Sequence, residues 1–269
     1  MTRPATPHKR ATAKKGAAKG TKSGKARYHE PTPAKTDPQA FEQVVRSRRS
    51  VRRFTNAPIP SDVLDACLDL ALLAPNSSNL QPWAFYKVQT PKKKQALVRA
   101  CLNQNAARTA AELIVVVART DTYLENAKDN LRAWPDGEVP KLVRDYYTKL
   151  VPLMYSQGPL GALGLAKGVV TNAIGQFRPM IRGPFSAAEL KVWAVKSTSL
   201  AAENLMLALR AYGYDSCPME GFDEARVARL LRLPRGASIP MVIAAGMRAD
   251  DGIYHPQIRF DRARFVFTV

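Results

Sequence analysis

The chain has 269 residues, 46% of them apolar, enough to bury a full core in one large domain or two small ones. Its formal net charge is +19, and its three cysteines, Cys67, Cys101 and Cys217, stand far apart with no C-x-x-C pair. That usage argues against zinc and suits a reducing, cytoplasmic compartment, and with His255 the one histidine outside the first 36 residues there is almost no material for a histidine metal site or a Ser/His relay.

In chain order, residues 1–36 come first, with ten Lys/Arg against Glu30 alone and no apolar period. Such a stretch cannot bury enough surface to offset the entropy of ordering, so it reads as a disordered basic tail ahead of a folded domain at 37–269. Three uses of the tail stay open: a solvated leader, weak contact with nucleic acid or an anionic surface, and an organellar transit peptide, for which it is rich in lysine. No apolar signal core precedes a cleavage site, so export is not expected.

From Phe41 the pattern is periodic. Phe41, Val44 and Val45 share one helical face, and Leu64, Cys67, Leu68, Ala71 and Leu72 repeat at helical spacing after Pro58, Pro60 and Ser61. Between these two helices lies "RSRRSVRRF" (46–54), five arginines around two serines. "PWAFYKV" (82–88) and "ELIVVVA" (112–118) read as strands with a helix near 91–101 between them. Residues 120–185 are the least regular, with helical patches near 141–155, and are expected to be a variable insertion or lid. The uncharged run Leu150–Ala166 is interrupted by Pro152, Gly158, Pro159, Gly161 and Gly164, which predicts a loop and argues against a membrane span.

A long helix follows, with Leu190, Trp193, Ala194, Ser197, Ala201, Asn204, Leu205, Ala208 and Tyr212 on one broad face and Gly213 as its stop. "YDSCPMEGFD" predicts a short strand and turn, Asp223 caps a helix through Leu231, and "IPMVIAAG" (239–246) predicts a buried strand. The ending "RFDRARFVFTV" alternates as an extended segment packed on a neighbour would. Neither G-x-G-x-x-G nor G-x-x-x-x-G-K-[ST] occurs, so a dedicated dinucleotide or nucleoside-triphosphate domain is unsupported.

Three stretches in order, "RSRRSVRRF" (46–54), "APNSSNLQPWAF" (74–85) and "PMEGFD" (218–223), resemble the nitroreductase family of FMN-dependent oxidoreductases, and "GMRADD" followed by "QIRFDR" adds a fourth match. The likeness spans residues 38–269, apart from much of 120–185. It implies an α+β fold with a mainly antiparallel central sheet surrounded by helices, in an intertwined homodimer. It also implies FMN as cofactor and NAD(P)H as reductant.

Residue by residue, the resemblance implies that Arg48, Arg49, Ser50 and Arg52 meet the phosphate, ribityl chain and pyrimidine edge of the flavin, a task suited to planar guanidinium forks. Pro75, Asn76, Ser77 and Asn79 correspond to a loop that reaches the flavin from the second subunit, with Asn76 where relatives more often have serine. Gln104 corresponds to an amide on the pyrimidine edge, Glu220 and Gly221 to backbone N–H groups near flavin N5, and Arg259 to a phosphate-binding arginine. Gln257 stands where relatives commonly carry lysine, and Arg248 is either its substitute or a surface residue. Arg46 and Arg53 are left to the solvated surface, and Gln81 and Trp83 to turn and core.

The implied activity is hydride transfer from NAD(P)H through flavin N5 to a nitroaromatic, quinone or similar flat acceptor by a ping-pong mechanism, with no protein nucleophile and no metal. Two other readings stay open: a specialised member such as a dehalogenase or enone reductase, and a nucleic-acid-associated scaffold that uses the basic tail.

Overall fold

Alternation along the strands decides the architecture. Among the described residues, β1 (Trp83–Lys87), β2 (Glu112–Ala118), β3 (Asp215–Met219) and β4 (Ser238–Gly246) form one sheet in the order β1-β2-β4-β3, antiparallel at every pairing. In the central strand β2, Leu113, Val115 and Val117 point into one cluster with Val242 and Ala244, and Ile114 and Val116 point into another with Ile243 and Ala245. The period of two thus feeds two cores, one on each face, and a one-residue slip would exchange them.

The computed structural model describes residues 30–135 and 137–269, and residues 38–269 form one unit. Residues 30–37 are exposed and without regular structure, and the rest of the expected tail lies outside the described residues. Helices α1 (Pro38–Ser47) and α2 (Ser61–Leu72) flank the arginine segment, and α3 (Pro91–Ala100) and α4 (Asn105–Thr109) lie between β1 and β2. After β2 come α5 (Tyr123–Arg132), α6 (Lys141–Asp145), a π-helical stretch Tyr146–Leu150, α7 (Val151–Tyr155) and α8 (Ala162–Ile174). The long α9 (Ala187–Ala211) leads to β3, and α10 (Glu224–Leu231) leads to β4.

One face of the sheet is covered by Leu97, Ala100, Ala106, Ala107 and Val227 from α3, α4 and α10. The other carries Leu64, Cys67 and Ala71 of α2 and Leu205 and Leu209 of α9. Each fully buried Leu contributes about 1.5–3 kcal/mol relative to exposure. The architecture is α+β, with an antiparallel sheet between helices, as the resemblance implies.

The local signals for α9 and α10 take their expected form. Ser186 Oγ accepts from the Glu189 N–H (3.2 Å) while Glu189 Oε2 accepts from the Phe185 N–H (2.6 Å), a reciprocal cap that starts α9. Gly213 ends it with φ +86°, and Asp223 caps α10 by accepting from the Arg226 N–H. Tyr212, expected on the inner face of α9, is exposed, because the helix ends beneath it.

Residues 120–185 differ from expectation. The stretch predicted as loop from Leu150 is helical at Val151–Tyr155 and again from Ala162. Val151 and Tyr155 are buried in a third cluster with Leu80, Ala118, Ala127, Leu190, Trp193 and Ala194. Pro152 is tolerated because it occupies the first turn of α7. The C-terminal stretch from Phe260 holds only a 3₁₀ turn at Arg262–Arg264, and every residue in it is exposed. Among the described residues no helix is long and apolar enough to cross a membrane.

Candidate functional site

The arginine segment is held in place by its backbone. The Val51 N–H donates to the Ser216 carbonyl (3.0 Å), the Arg52 N–H to the Gly252 carbonyl (2.7 Å) and the Thr55 N–H to the Met247 carbonyl (2.8 Å). The segment is thereby laced between β3 and residues 247–252. Val51 and Phe54 turn inward to the core, whereas Arg53 turns out to the surface and Arg52 reaches only the core's edge at Cys217. The lacing depends on Gly252, where a Cβ would stand 2.5 Å from the Arg53 carbonyl oxygen and 2.8 Å from that of Ala249.

Beside this segment lies a cavity of about 540 Å³ lined by Arg48, Arg49, Ser50, Arg52, Gln104 and Arg259, with Ile253–Ile258 as its far wall. Six of the residues singled out in the sequence therefore meet at one place. Arg49 Nη2 donates to the His255 carbonyl (2.6 Å), Arg52 Nη1 to Cys217 Sγ (3.3 Å) and Arg259 Nη1 to the Ile258 carbonyl (2.8 Å). Arg48 approaches Glu203 only at 3.9 Å. Burial pushes the Cys217 thiol above its usual value, against the lowering influence of Arg52, so Arg52 faces a neutral sulfur.

Gln104 Nε2 donates to the Gly221 carbonyl (2.6 Å), which brings Gly221 and its neighbour Glu220 to the border of the cavity. A Cβ on Gly221 would meet only Gln104 Nε2, at 3.4 Å, so the chain's own packing does not require glycine there.

Arg248 takes neither expected role. Its Nε and Nη2 donate to Asp215 Oδ2 and Oδ1 (3.0 and 2.8 Å), and Arg210 Nη1 lies 3.3 Å from the same carboxylate. Asp215 is buried, so the two arginines compensate a desolvated charge, and the Asp215 hydrogen bond holds the Arg248 guanidinium above its ordinary value. Arg53 pairs with Asp251 and Arg46 with Glu42, both at the surface.

Pro75, Asn76, Ser77 and Asn79 are not brought to the arginine cavity within one chain. Asn76 closes its own turn: Oδ1 accepts from the Gln81 N–H (2.8 Å) and Nδ2 donates to the Ala74 carbonyl (3.3 Å). Three non-glycine residues here are left-handed, Ser78 (φ +59°), Asn79 (φ +49°) and Gln81 (φ +43°), a conformation that costs of order 1–3 kcal/mol per residue and needs support from its surroundings.

That support comes from residues 123–155. Tyr146 OH lies 2.6 Å and Tyr155 OH 3.4 Å from Ser78 Oγ, Tyr155 OH lies 3.1 Å from Ser77 Oγ, and Tyr147 OH donates to the Ser78 carbonyl (3.1 Å). From α5, Asn130 Nδ2 donates to the Asn79 carbonyl (2.8 Å), Asn79 Nδ2 donates to Asn130 Oδ1 (2.6 Å), and Asn126 Nδ2 donates to the Leu80 carbonyl (2.7 Å). Sequence reasoning missed these bracing residues. The asparagines at i and i+4 on one helix face were the available signal, whereas nothing in the sequence marks Tyr146, Tyr147 or Tyr155.

A family model, the nitroreductase family, matches residues 45–247. The chain belongs to the nitroreductase family. An NADH dehydrogenase of Thermus thermophilus is 30% identical over 219 residues, 81% of this chain and 91% of that protein. The crystal structure of a nitroreductase family protein from Streptococcus pneumoniae superposes with a TM-score of 0.64 at 20% identity, covering 85% of this chain and all of that one. The NADPH:FMN oxidoreductase of Vibrio harveyi, solved with NAD+, superposes with a TM-score of 0.57 at 18% identity over 85% of this chain and 76% of its own. The two solved structures thus share the fold of this chain.

Proposed function

We propose that this member of the family is an FMN-dependent oxidoreductase that takes hydride from NAD(P)H and passes it to a flat acceptor such as a nitroaromatic or a quinone, in two successive half-reactions. The observation that carries the reading is the charge balance of the arginine cavity. Arg48, Arg49, Arg52 and Arg259 converge on one space, and among the described residues no carboxylate comes nearer to them than the 3.9 Å between Arg48 and Glu203. Such a set suits a dianionic phosphate ester, and the volume lies within the range of cofactor sites.

In this reading Arg48, Arg49, Ser50 and Arg259 hold the phosphate, and Arg49 is already oriented by the His255 carbonyl. Arg52 places positive charge at the pyrimidine end, where it stabilises an anion in a poorly solvated site. Gln104, tied to Gly221, sets the distance between the pyrimidine edge and the backbone of Glu220 and Gly221. Bound there, FMN supplies the redox chemistry and the chain supplies binding, orientation and charge. The name of the Vibrio harveyi protein, NADPH:FMN oxidoreductase, supports the same pairing of nicotinamide and flavin.

The turn at Pro75, Asn76, Ser77 and Asn79 meets such a cofactor only when a second copy supplies it, so the working unit in this reading is a homodimer. Exposed Phe41 and Val45 on α1, together with the exposed end from Phe260, offer apolar surface for that association.

The test is a visible absorption spectrum of the purified chain, followed by anaerobic titration with NADH and with NADPH. A flavin spectrum bleached by a nicotinamide is expected. Arg48→Gln combined with Arg49→Gln is expected to weaken FMN binding at least tenfold. A chain that binds no FMN, or that retains it equally well without both arginines, overturns the reading.

A further inference from the structure

Strand β3 gives the arginines around it two kinds of partner. Asp215, at its start, takes Arg248 and Arg210, and a buried carboxylate cancels much of the charge it holds. Cys217, further along the same strand, takes Arg52, whose Nη1 donates to Sγ at 3.3 Å. The thiol also faces the Pro218 carbonyl at 3.7 Å. It thus accepts from a guanidinium on one side and donates weakly to the backbone on the other, as a neutral S–H can.

The backbone fixes both members of this pair. The Val51 N–H bonded to the Ser216 carbonyl (3.0 Å) and the Arg52 N–H bonded to the Gly252 carbonyl (2.7 Å) hold the root of Arg52 against the strand. Cys217 is fully buried in the cluster that contains Val51, Leu113, Val115 and Ala244, so its sulfur is confined to one place. Burial also keeps the thiol above its usual value, hence uncharged. From this fixed root Arg52 reaches the wall of the arginine cavity.

The kind of partner has an electrical consequence. A carboxylate beside Arg52 would offset its positive potential, whereas a thiol sets the direction of the guanidinium and leaves the charge to act on an occupant of the cavity. Without an acceptor the long side chain regains its rotamer freedom and moves out into water, where its charge is screened. We infer that Cys217 is a positioning residue, whose thiol holds Arg52 towards the pyrimidine end of bound FMN and so raises the midpoint potential of the flavin. The inference rests on the proposed function. The thiol itself undergoes no chemistry.

The test measures the midpoint potential of bound FMN by equilibration with a reference dye, in the parent and in Cys217→Ala, Cys217→Val and Cys217→Ser. Alanine and valine bracket the thiol in size and lack an acceptor, while serine keeps one. In both apolar variants the preference for reduced over oxidised FMN is expected to fall at least threefold, which is about 14 mV for a two-electron couple. Cys217→Ser is expected to stay within twofold of the parent. In an Arg52→Gln background the apolar exchanges are expected to leave the potential where Arg52→Gln alone puts it. An unmoved potential in either apolar variant, an equal fall in Cys217→Ser, or an equal fall in the Arg52→Gln background overturns the inference and assigns Cys217 to packing alone. Each of these outcomes leaves the proposed function standing, whereas a parent that binds no FMN overturns both.

Discussion

Helices α8 and α9 draw on a similar stock of Ala, Leu, Val and Gly or Ser, yet they face in opposite directions. On α9, Leu190, Trp193, Leu205 and Leu209 are buried, while Lys191, Lys196 and Glu203 meet water. On α8 the glycines and a lysine are inward and the aliphatic groups outward. Apolar content therefore does not determine which way a helix turns. The approach of the neighbouring backbone does: a Cβ on Gly164 would stand 2.0 Å from the Phe185 carbonyl oxygen, which only glycine can accommodate.

The contrast breaks most visibly under truncation. Leu205→Ala or Leu209→Ala should cost about 2–5 kcal/mol, because each leaves a cavity against the sheet. Leu165→Ala should stay within about 0.5 kcal/mol of the parent, as surface changes do. Denaturant unfolding of the three proteins measures this, and an equal loss at Leu165 would mean that α8 is buried in the folded protein. A second, smaller difference separates the two glycines of α8. Gly164→Ala should destabilise by about 1–3 kcal/mol through forced displacement. At Gly168 an added Cβ meets the Phe185 ring at 3.4 Å, and Gly168→Ala should be neutral or stabilise by up to about 1 kcal/mol through helix propensity.

The same comparison extends to the tyrosines that face the strained turn. Tyr146→Phe removes a hydroxyl bonded to Ser78 and should cost about 0.5–1.5 kcal/mol. If the turn meets the cofactor from a second copy, the variant should also release FMN faster, while the exposed Leu165→Ala does not; stopped-flow release of flavin fluorescence separates them. The smallest effect belongs to the surface pair Arg119–Asp121, where two hydrogen bonds of 2.8 and 2.7 Å hold the Asp121 carboxyl below its ordinary value. The pair's contribution is complete above the ordinary aspartate range and is lost as pH falls through the lowered folded value. Asp121→Asn should therefore lower the melting temperature slightly at neutral pH, leave it almost unchanged at low pH, and so flatten the acid-side decline.

The sheet and α9 were legible because each signals through its own period. "ELIVVVA" cannot alternate with water on both faces buried, and Leu190, Trp193, Ala194 and Ser197 recur at helical intervals. Helix α8 was illegible for the converse reason, since its inward positions are Gly and Lys, and its glycines with Pro159 just ahead of it imitate a loop. The arginine cluster was legible only through the resemblance carried by its motifs, since charge alone suits a buried phosphate and a nucleic acid alike. Its far wall was not legible, for the contribution of His255 and Ile258 is a backbone carbonyl, which any residue supplies. The turn at Ser77–Gln81 was visible as a turn, but its left-handed residues are Ser, Asn and Gln, so no glycine advertised the strain.

That turn ties together parts of the chain made at different times. Its shape rests on hydroxyls and amides from Asn126 to Tyr155, at least 45 positions further along, so it cannot settle until those segments have been synthesised and folded over it. A change of side chain at Asn126, Asn130, Tyr146, Tyr147 or Tyr155 is correspondingly transmitted to a backbone already held away from its preferred angles.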